Sequence, residues 1–293
     1  MRCSTRAWAR RETAGGAAVR RRLGGVWRRP GGRIGLVLLS AVAAAVLLGP
    51  LVLPDPLAQP DILGGANLPP SAAHPFGTDP LSRDVLARVV AGGRVSLLVA
   101  GLAVLLASTL GTLVGLVAGY AGGRVDAVLM RLVDGVLALP RIFVVLLLLA
   151  AWERVPLAAL VLVIGATGWL APSRLVRAEV LRLRSADFVR AAEALGCGPG
   201  RVIFRHLLPN VLGPLVVATT LAVGDVILLE AGLSFLGLGI QPPTPSWGGM
   251  ILEAKDVMVT APWSSLFPGL AVMLTVVAAN LLGDALQHDD AQA

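Results

Sequence analysis

Long uncharged apolar runs are the feature that most constrains this chain. Five stand out, at residues 34–53, 95–120, 155–173, 207–224 and 257–283. A bilayer core about 30 Å thick needs roughly 20 apolar residues per helical span, so each run is read as a membrane-crossing helix. A sixth span is read over 125–152, where Asp126, Arg131, Asp134 and Arg141 precede the apolar stretch IFVVLLLLAAW. Charges in a span are costly unless they face protein or water, which places this helix inside a bundle; the alternative is a shorter helix entered by an interfacial segment. With 56% apolar and 15% charged residues and a mean hydropathy of +0.78, the chain lies far from soluble averages. The expected fold class is all-α: a polytopic membrane bundle of six transmembrane helices.

Charge placement orients that bundle. Ten arginines precede Ile34, and seven more (Arg174, Arg177, Arg182, Arg184, Arg190, Arg201 and Arg205) fall between the fourth and fifth spans. With Arg124 after the second span, one side of a six-span chain carries 18 of the 25 Lys and Arg residues. The positive-inside rule makes that side cytoplasmic, together with both termini, and accounts for the net charge of +7 without nucleic acid. The first run is 20 residues long behind a 33-residue basic leader and ends in LLGPLVLPDP, so an uncleaved first span is expected rather than a signal peptide. Cys3 and Cys197 both map to the reducing side, and the three histidines lack metal-ligand spacing. Neither a disulfide nor a metal or other cofactor is expected.

Between the spans the chain divides into distinct segments. Residues 1–33 form an Arg- and Gly-rich leader, expected to be disordered or to lie on anionic headgroups. Residues 34–53 form the first span and 54–94 an external loop, whose DPLSRDVLARVVAGGR is read as an amphipathic lead-in helix capped by Asp79, lying at the membrane surface or merely connecting. Residues 95–286 form the core, and 287–293 a short tail. A second external loop holds QPPTPSWGG, rigid by its prolines and bracketed by Trp247 and Trp263 at interface depth. It either caps the mouth of a pathway or serves as a packed connector.

No constellation for catalysis is visible: no nucleophile elbow, no HExxH and no paired carboxylates in one cleft. GCGPGR lacks the lysine and following hydroxyl of a phosphate-binding loop, so any nucleotide chemistry belongs to another chain. The informative segment is 174–209, a basic stretch of strong helix formers. Gly196 suits a left-handed helix cap, Gly198 and Pro199 enforce a turn, and a second short helix carrying Arg201, Val202, Ile203 and Arg205 is read as ending at Pro209. An apolar ridge flanked by arginines suits docking into a groove on a partner. A solvated loop that only satisfies topology is the alternative.

This stretch resembles the cytoplasmic coupling loop of ABC-importer permeases, which reads E-A-A, three residues, G, nine residues, I-x-L-P. Ala191, Ala192, Gly196, Leu208 and Pro209 match in register. Arg190 stands in the place of the glutamate, with Glu193 three residues on, and His206 replaces the isoleucine. An exchange of Arg and Glu at i and i+3 keeps both charges on neighbouring helix surface. HPFGTDPLSRDVLARVVAGGRVSLLV, EAGLSFLGLGIQPPTPSWGGM and APWSSLFPGLAVMLTVVAANLLGDAL are similar to the C-type permease subunit of the dipeptide, oligopeptide and nickel branch, and the resemblance spans 74–286. It implies an ATP-driven importer built from this chain, a second homologous permease, two cytoplasmic ATPase subunits and an external substrate-binding protein. The chain itself would not be an enzyme; it would supply the path and the coupling for alternating access. The implied cargo is a di- or oligopeptide, with a nickel chelate or another small solute as the alternative.

Two acids near the end of the fifth span, Asp225 and Glu230, are candidates for the translocation path. Glu230 is expected to be solvated at the outer interface or paired with loop backbone. Asp225 sits deeper, either facing the path or paired with Arg141 or Arg131; the corresponding position is small and apolar in the resembling branch. Two other function classes stay open. A secondary transporter would show internal repeats and polar breaks at midplane, of which no repeat is seen; a membrane scaffold would use the basic loop to hold a partner that is not an ATPase.

Overall fold

The computed structural model describes Trp27, residues 29–61 and residues 64–290, the side chains of 288–290 excepted. The expectation of a disordered leader therefore falls almost wholly outside the described residues. Within them every regular element is helical, apart from a single bridge between Thr78 and Asp84. Five helical stretches are long and apolar enough to cross a membrane, and a sixth crossing is counted if one bent helix pair is a single span. The expected all-α bundle is thus what the chain folds into.

Helix α1 (Pro30–Leu48) starts on a proline at its first turn, where the missing N–H costs nothing, and gives way to a tight turn at Gly49–Leu51. The spine is α2 (Val85–Ala121), whose 37 residues span roughly 55 Å. Its start corrects the sequence reading of the lead-in. Asp84, not Asp79, caps the helix by accepting from the Ala87 N–H at 2.8 Å, and the 85–94 stretch is its first turns, not a separate surface helix. The apolar face of that stretch is buried, Val85 and Val90 included, so tertiary packing absorbs it.

The third span is corrected as well. It is two helices, α3 (Gly123–Leu137) and α4 (Arg141–Leu149), meeting at 82°. Pro140 explains the break, since it cannot donate to the helix and forces the preceding residue out of helical geometry. The fourth span comprises α5 (Leu157–Gly168) and α6 (Leu170–Arg184), which run on as one 28-residue stretch. Glycines set how closely it meets α2. A Cβ on Gly111 would lie 2.6 Å from Pro172 Cβ, one on Gly115 2.6 Å from the Ser173 carbonyl oxygen, and one on Gly119 2.8 Å from Val180 Cβ. That four-residue period lets the two backbones touch along three turns.

After two short helices, α7 (Asp187–Ala194) and α8 (Pro199–Val202), comes α9 (Leu208–Phe235), entered through a π-helical turn at Ile203–Leu207. Pro209 therefore opens the long helix; it does not stop the short one. A proline in the first turn removes no helical bond, and the wide turn before it accommodates the change of register. Then follow α10 (Trp247–Glu253) and α11 (Trp263–Asp290), so the last span starts six residues later than the apolar run and continues past residue 286.

Two buried clusters lie along α2. Val99, Ala103, Val145, Leu149, Leu160, Ile164, Ile227 and Trp247 share the central core. Leu116, near the far end of α2, joins Val176, Val180, Val189, Val202, Leu207 and Val211 in a second core. At the opposite end, residues 64–84 and 236–262 fold into a cap. Trp247 is a core residue there rather than an interface anchor: it is buried, its indole N–H donates to the Val89 carbonyl at 2.9 Å, and its backbone N–H meets Ser96 Oγ at 3.3 Å. Trp263 is half-buried and donates to the Thr78 carbonyl at 3.1 Å. The QPPTPSWGG loop is packed: Ser246 caps α10, and Gly248 lies so close to α9 that a Cβ would sit 2.4 Å from the Ala231 oxygen.

Candidate functional site

The elbow between the fourth and fifth spans is built by two stops and one seat. Helix α6 ends at Arg184, the chain turns extended at Ala186, and α7 begins at Asp187. Helix α7 closes on a Schellman cap: Cys197 N–H bonds the Ala192 carbonyl at 3.1 Å and Gly196 N–H bonds the Glu193 carbonyl at 2.9 Å. Gly196 has φ +78°, a conformation that L side chains rarely adopt, so glycine is required there by the backbone. Gly198 then caps α8, and Pro199 fills its first turn. The seat is apolar. Val189 and Ala192 from α7, Val202 from α8 and Leu207 are buried against α6, α9 and the end of α2.

Burial on that side fixes what points away. Arg190, Ala191, Glu193, Gly198, Pro199, Arg201 and Arg205 are exposed, whereas Ile203 and Leu208 are half-buried. The apolar surface of the elbow is Leu195, 73% exposed, and Phe204, 65% exposed. Sequence reading missed both, because it assigned the ridge to Val202 and Ile203; Val202 of α8 is buried, and Phe204, within the π turn, faces outward. The missed signal was the pair of large apolar residues flanking the glycine turn. His206 is buried with its ring 6.4 Å from that of Phe188, and Asn210 donates to its carbonyl at 2.6 Å.

The basic residues divide by role. Arg177 holds Asp126 of α3 in a bidentate pair, its Nη2 donating to Oδ2 at 2.6 Å, and Arg174 bonds Asp134. Arg182 pairs with Glu179 at 2.7 Å, and Arg184 lies 5.6 Å above the Tyr120 ring. Arg174 and Arg177 thus fasten α6 to α3, Arg184 meets α2, and the Arg182 pair stays within α6. Arg190 and Arg201 make no ion pair with the described residues, and Glu193 turns towards the Tyr120 hydroxyl.

The two acids are separated, not gathered. Glu230 is 0% exposed, which corrects the expectation of solvation. Ser234 Oγ donates to its Oε1 at 2.8 Å, and Ser96 and Ser246 present hydroxyls to the same carboxyl. It is an internal strut that joins α2, α9 and the Ser246 cap. Asp225 is exposed on α9. It makes no ion pair within 4 Å with Arg141. Arg131 is exposed and makes no ion pair with the described residues.

Residues 111–288, from the middle of α2 through α11, match the family described as binding-protein-dependent transport system inner membrane component. The chain belongs to that family. This inner membrane component is 46% identical over 255 residues to a putative peptide permease protein of Brucella suis, a match covering 86% of this chain and 84% of the relative. It is 39% identical to a dipeptide transport system permease protein of Bacillus subtilis, over 86% and 79% of the two chains. A glutathione transport system permease protein of Pectobacterium atrosepticum is 40% identical over 75% of this chain and 73% of its own. The resemblance read from the EAA-like stretch is borne out, and the chain is a multi-pass transport permease.

A second ionic feature of this permease escaped the sequence reading. At the cap, Asp79 accepts from Arg83 Nε at 2.6 Å and from Arg88 Nη1 at 2.5 Å, while Arg88 also donates to both oxygens of Glu253 at 3.0 and 3.2 Å. Arg83 reaches Glu253 as well. Asp79, Arg83 and Arg88 are all buried. Their partner lies more than 160 residues away in sequence, so no local pattern could have announced it.

Proposed function

We propose that this permease is one of two homologous membrane chains of an ABC importer for di- or oligopeptides, cycling by alternating access. Two ATPase subunits drive it from the cytoplasm, and a binding protein delivers cargo at the cap. Both termini and the elbow lie on the cytoplasmic side. The supporting observation is the elbow itself: Leu195, Phe204, Arg190 and Arg201 form an exposed ridge on helices firmly seated by Val189, Val202 and Leu207 against α2, α6 and α9. A pull on that ridge moves three spans together, which suits rigid-body switching. The relatives named for peptide, dipeptide and glutathione transport support the cargo class. ATP hydrolysis resides in the partners.

Asp225 lines the path in this reading, and Glu230 holds its wall. Gly196→Trp tests the coupling role. Its Cβ meets nothing within 4 Å, so space is not the obstacle; the positive φ is. Binding-protein-dependent peptide uptake is expected to fall at least tenfold with the permease still in the membrane. Normal uptake by this variant would contradict the assignment.

A further inference from the structure

The end of α1 meets the first turns of α2 beside a cavity that the transport reading leaves unused. The two helices approach closely there: a Cβ on Gly49 would lie 2.6 Å from Val90 Cγ1, and one on Gly93 2.6 Å from Val46 Cγ2. Next to this contact, Pro50, Leu53, Asp55, Val90 and Arg94 line a cavity of about 240 Å³. Arg94 Nε donates to the Val46 carbonyl at 2.9 Å and Nη2 to the Leu47 carbonyl at 3.4 Å. Both are last-turn carbonyls of α1, for which a helix has no internal donor. They fix the guanidinium without neutralising it, and its Nη1 donates to none of the described residues. Asp55 Oδ1 accepts from the Leu57 N–H at 2.9 Å, which leaves Oδ2 free. Arg94 and Asp55 thus share one cavity, yet they form no ion pair with each other or with any other described residue.

The depth of the cavity selects its occupant. Leu51, 82% exposed, and Val52, 86% exposed, carry the apolar surface of α1 onward, and Pro54, Asp55 and Pro56 follow at once. Exposed Leu and Val at the end of a spanning helix belong among acyl chains, and the charges that come next belong at headgroup level. A cavity at that level with one cation and one anion on apolar walls complements a headgroup that itself carries both signs. We propose that it holds the headgroup of a zwitterionic phospholipid with a primary amine, Arg94 donating to the phosphate and Asp55 accepting from the ammonium. The planar guanidinium, already oriented by two carbonyls, suits phosphate oxygens. The free oxygen of Asp55 suits an ammonium that has N–H donors and disfavours a headgroup of net negative charge. A lipid seated there spans the junction of α1 and α2, so it ties the first helix to the spine of the bundle.

The test reconstitutes the full-length chain, purified with whatever subunits accompany it, into vesicles of equal parts phosphatidylethanolamine, phosphatidylcholine and phosphatidylglycerol. The lipid retained on extraction into mild detergent is then weighed by native mass spectrometry. The wild-type chain is expected to retain phosphatidylethanolamine above its share of the bilayer. Arg94→Gln should lower that retention by about tenfold, the loss of one charge-assisted bond, and Arg94→Lys should keep most of it. Asp55→Asn should leave a lipid bound but reduce the preference for phosphatidylethanolamine over phosphatidylglycerol several-fold. Asp55 is exposed and outside any helix, so this variant carries the test even where Arg94→Gln loosens α1 from α2. Retained lipid that mirrors the bilayer mixture in the wild-type chain overturns the proposal, as does a preference that Asp55→Asn leaves unchanged. A photo-crosslinking group at Leu53 that joins a protein chain and no lipid overturns it too, since a protein partner then fills the cavity.

Discussion

The two ends of α2 are held by different physics. At the cap end, buried Asp79, Arg83 and Arg88 close on Glu253, and Trp247 is buried nearby, so these buried charges find their partners within the chain. At the elbow end, small apolar side chains make the seat, and the outward surface keeps Leu195, Phe204, Arg190 and Arg201 without an internal use. The cap end closes its buried charges on one another, whereas in the proposed reading the outward groups of the elbow serve a partner.

Breaking the cap should therefore cost stability first. Arg88→Leu leaves Asp79 and Glu253 with only Arg83 between them, and removing one partner of a buried ionic group typically costs on the order of 3–5 kcal/mol. Thermal unfolding of the purified permease in detergent is expected to shift down more for this variant than for any elbow substitution. Next in size is Gly115→Leu, which drives a side chain into Ser173 and Val176. Overpacking of that kind costs about 1–3 kcal/mol, and the same unfolding assay reads it.

The elbow should show the reverse pattern. Leu195→Ala together with Phe204→Ala removes exposed groups, so the unfolding midpoint is expected to move by no more than about 0.5 kcal/mol in stability. Peptide uptake and recovery of the ATPase with the permease should nonetheless both drop several-fold. Equal losses of stability at the two ends would remove the distinction between them.

Much of the fold was legible because lipid imposes a simple rule. Five apolar runs became spanning helices, and Gly196, Gly198 and Pro199 made the turn their chemistry dictates. The errors have physical causes too. Pro140 marked the broken third span, but the apolar stretch after it masked the signal. Pro209 looked like a terminator because the π turn that accommodates it leaves no trace in composition. Glu230 looked solvated because its cover comes from Ser96 and Ser246, which only the folded chain brings to it. At the elbow the motif gave the register, whereas the exposure of Leu195 and Phe204 depends on how α7 and the π turn seat on α6 and α9.

In the proposed assembly the elbow is the surface that an ATPase grips. A photo-crosslinking amino acid placed at Phe204 in the assembled transporter tests it, with the same group at Val259, 96% exposed at the cap, as the control. Irradiation is expected to join the Phe204 site to the ATPase subunit and to leave the Val259 site free of it. An ATPase adduct at Val259, or none at Phe204, would contradict the assignment.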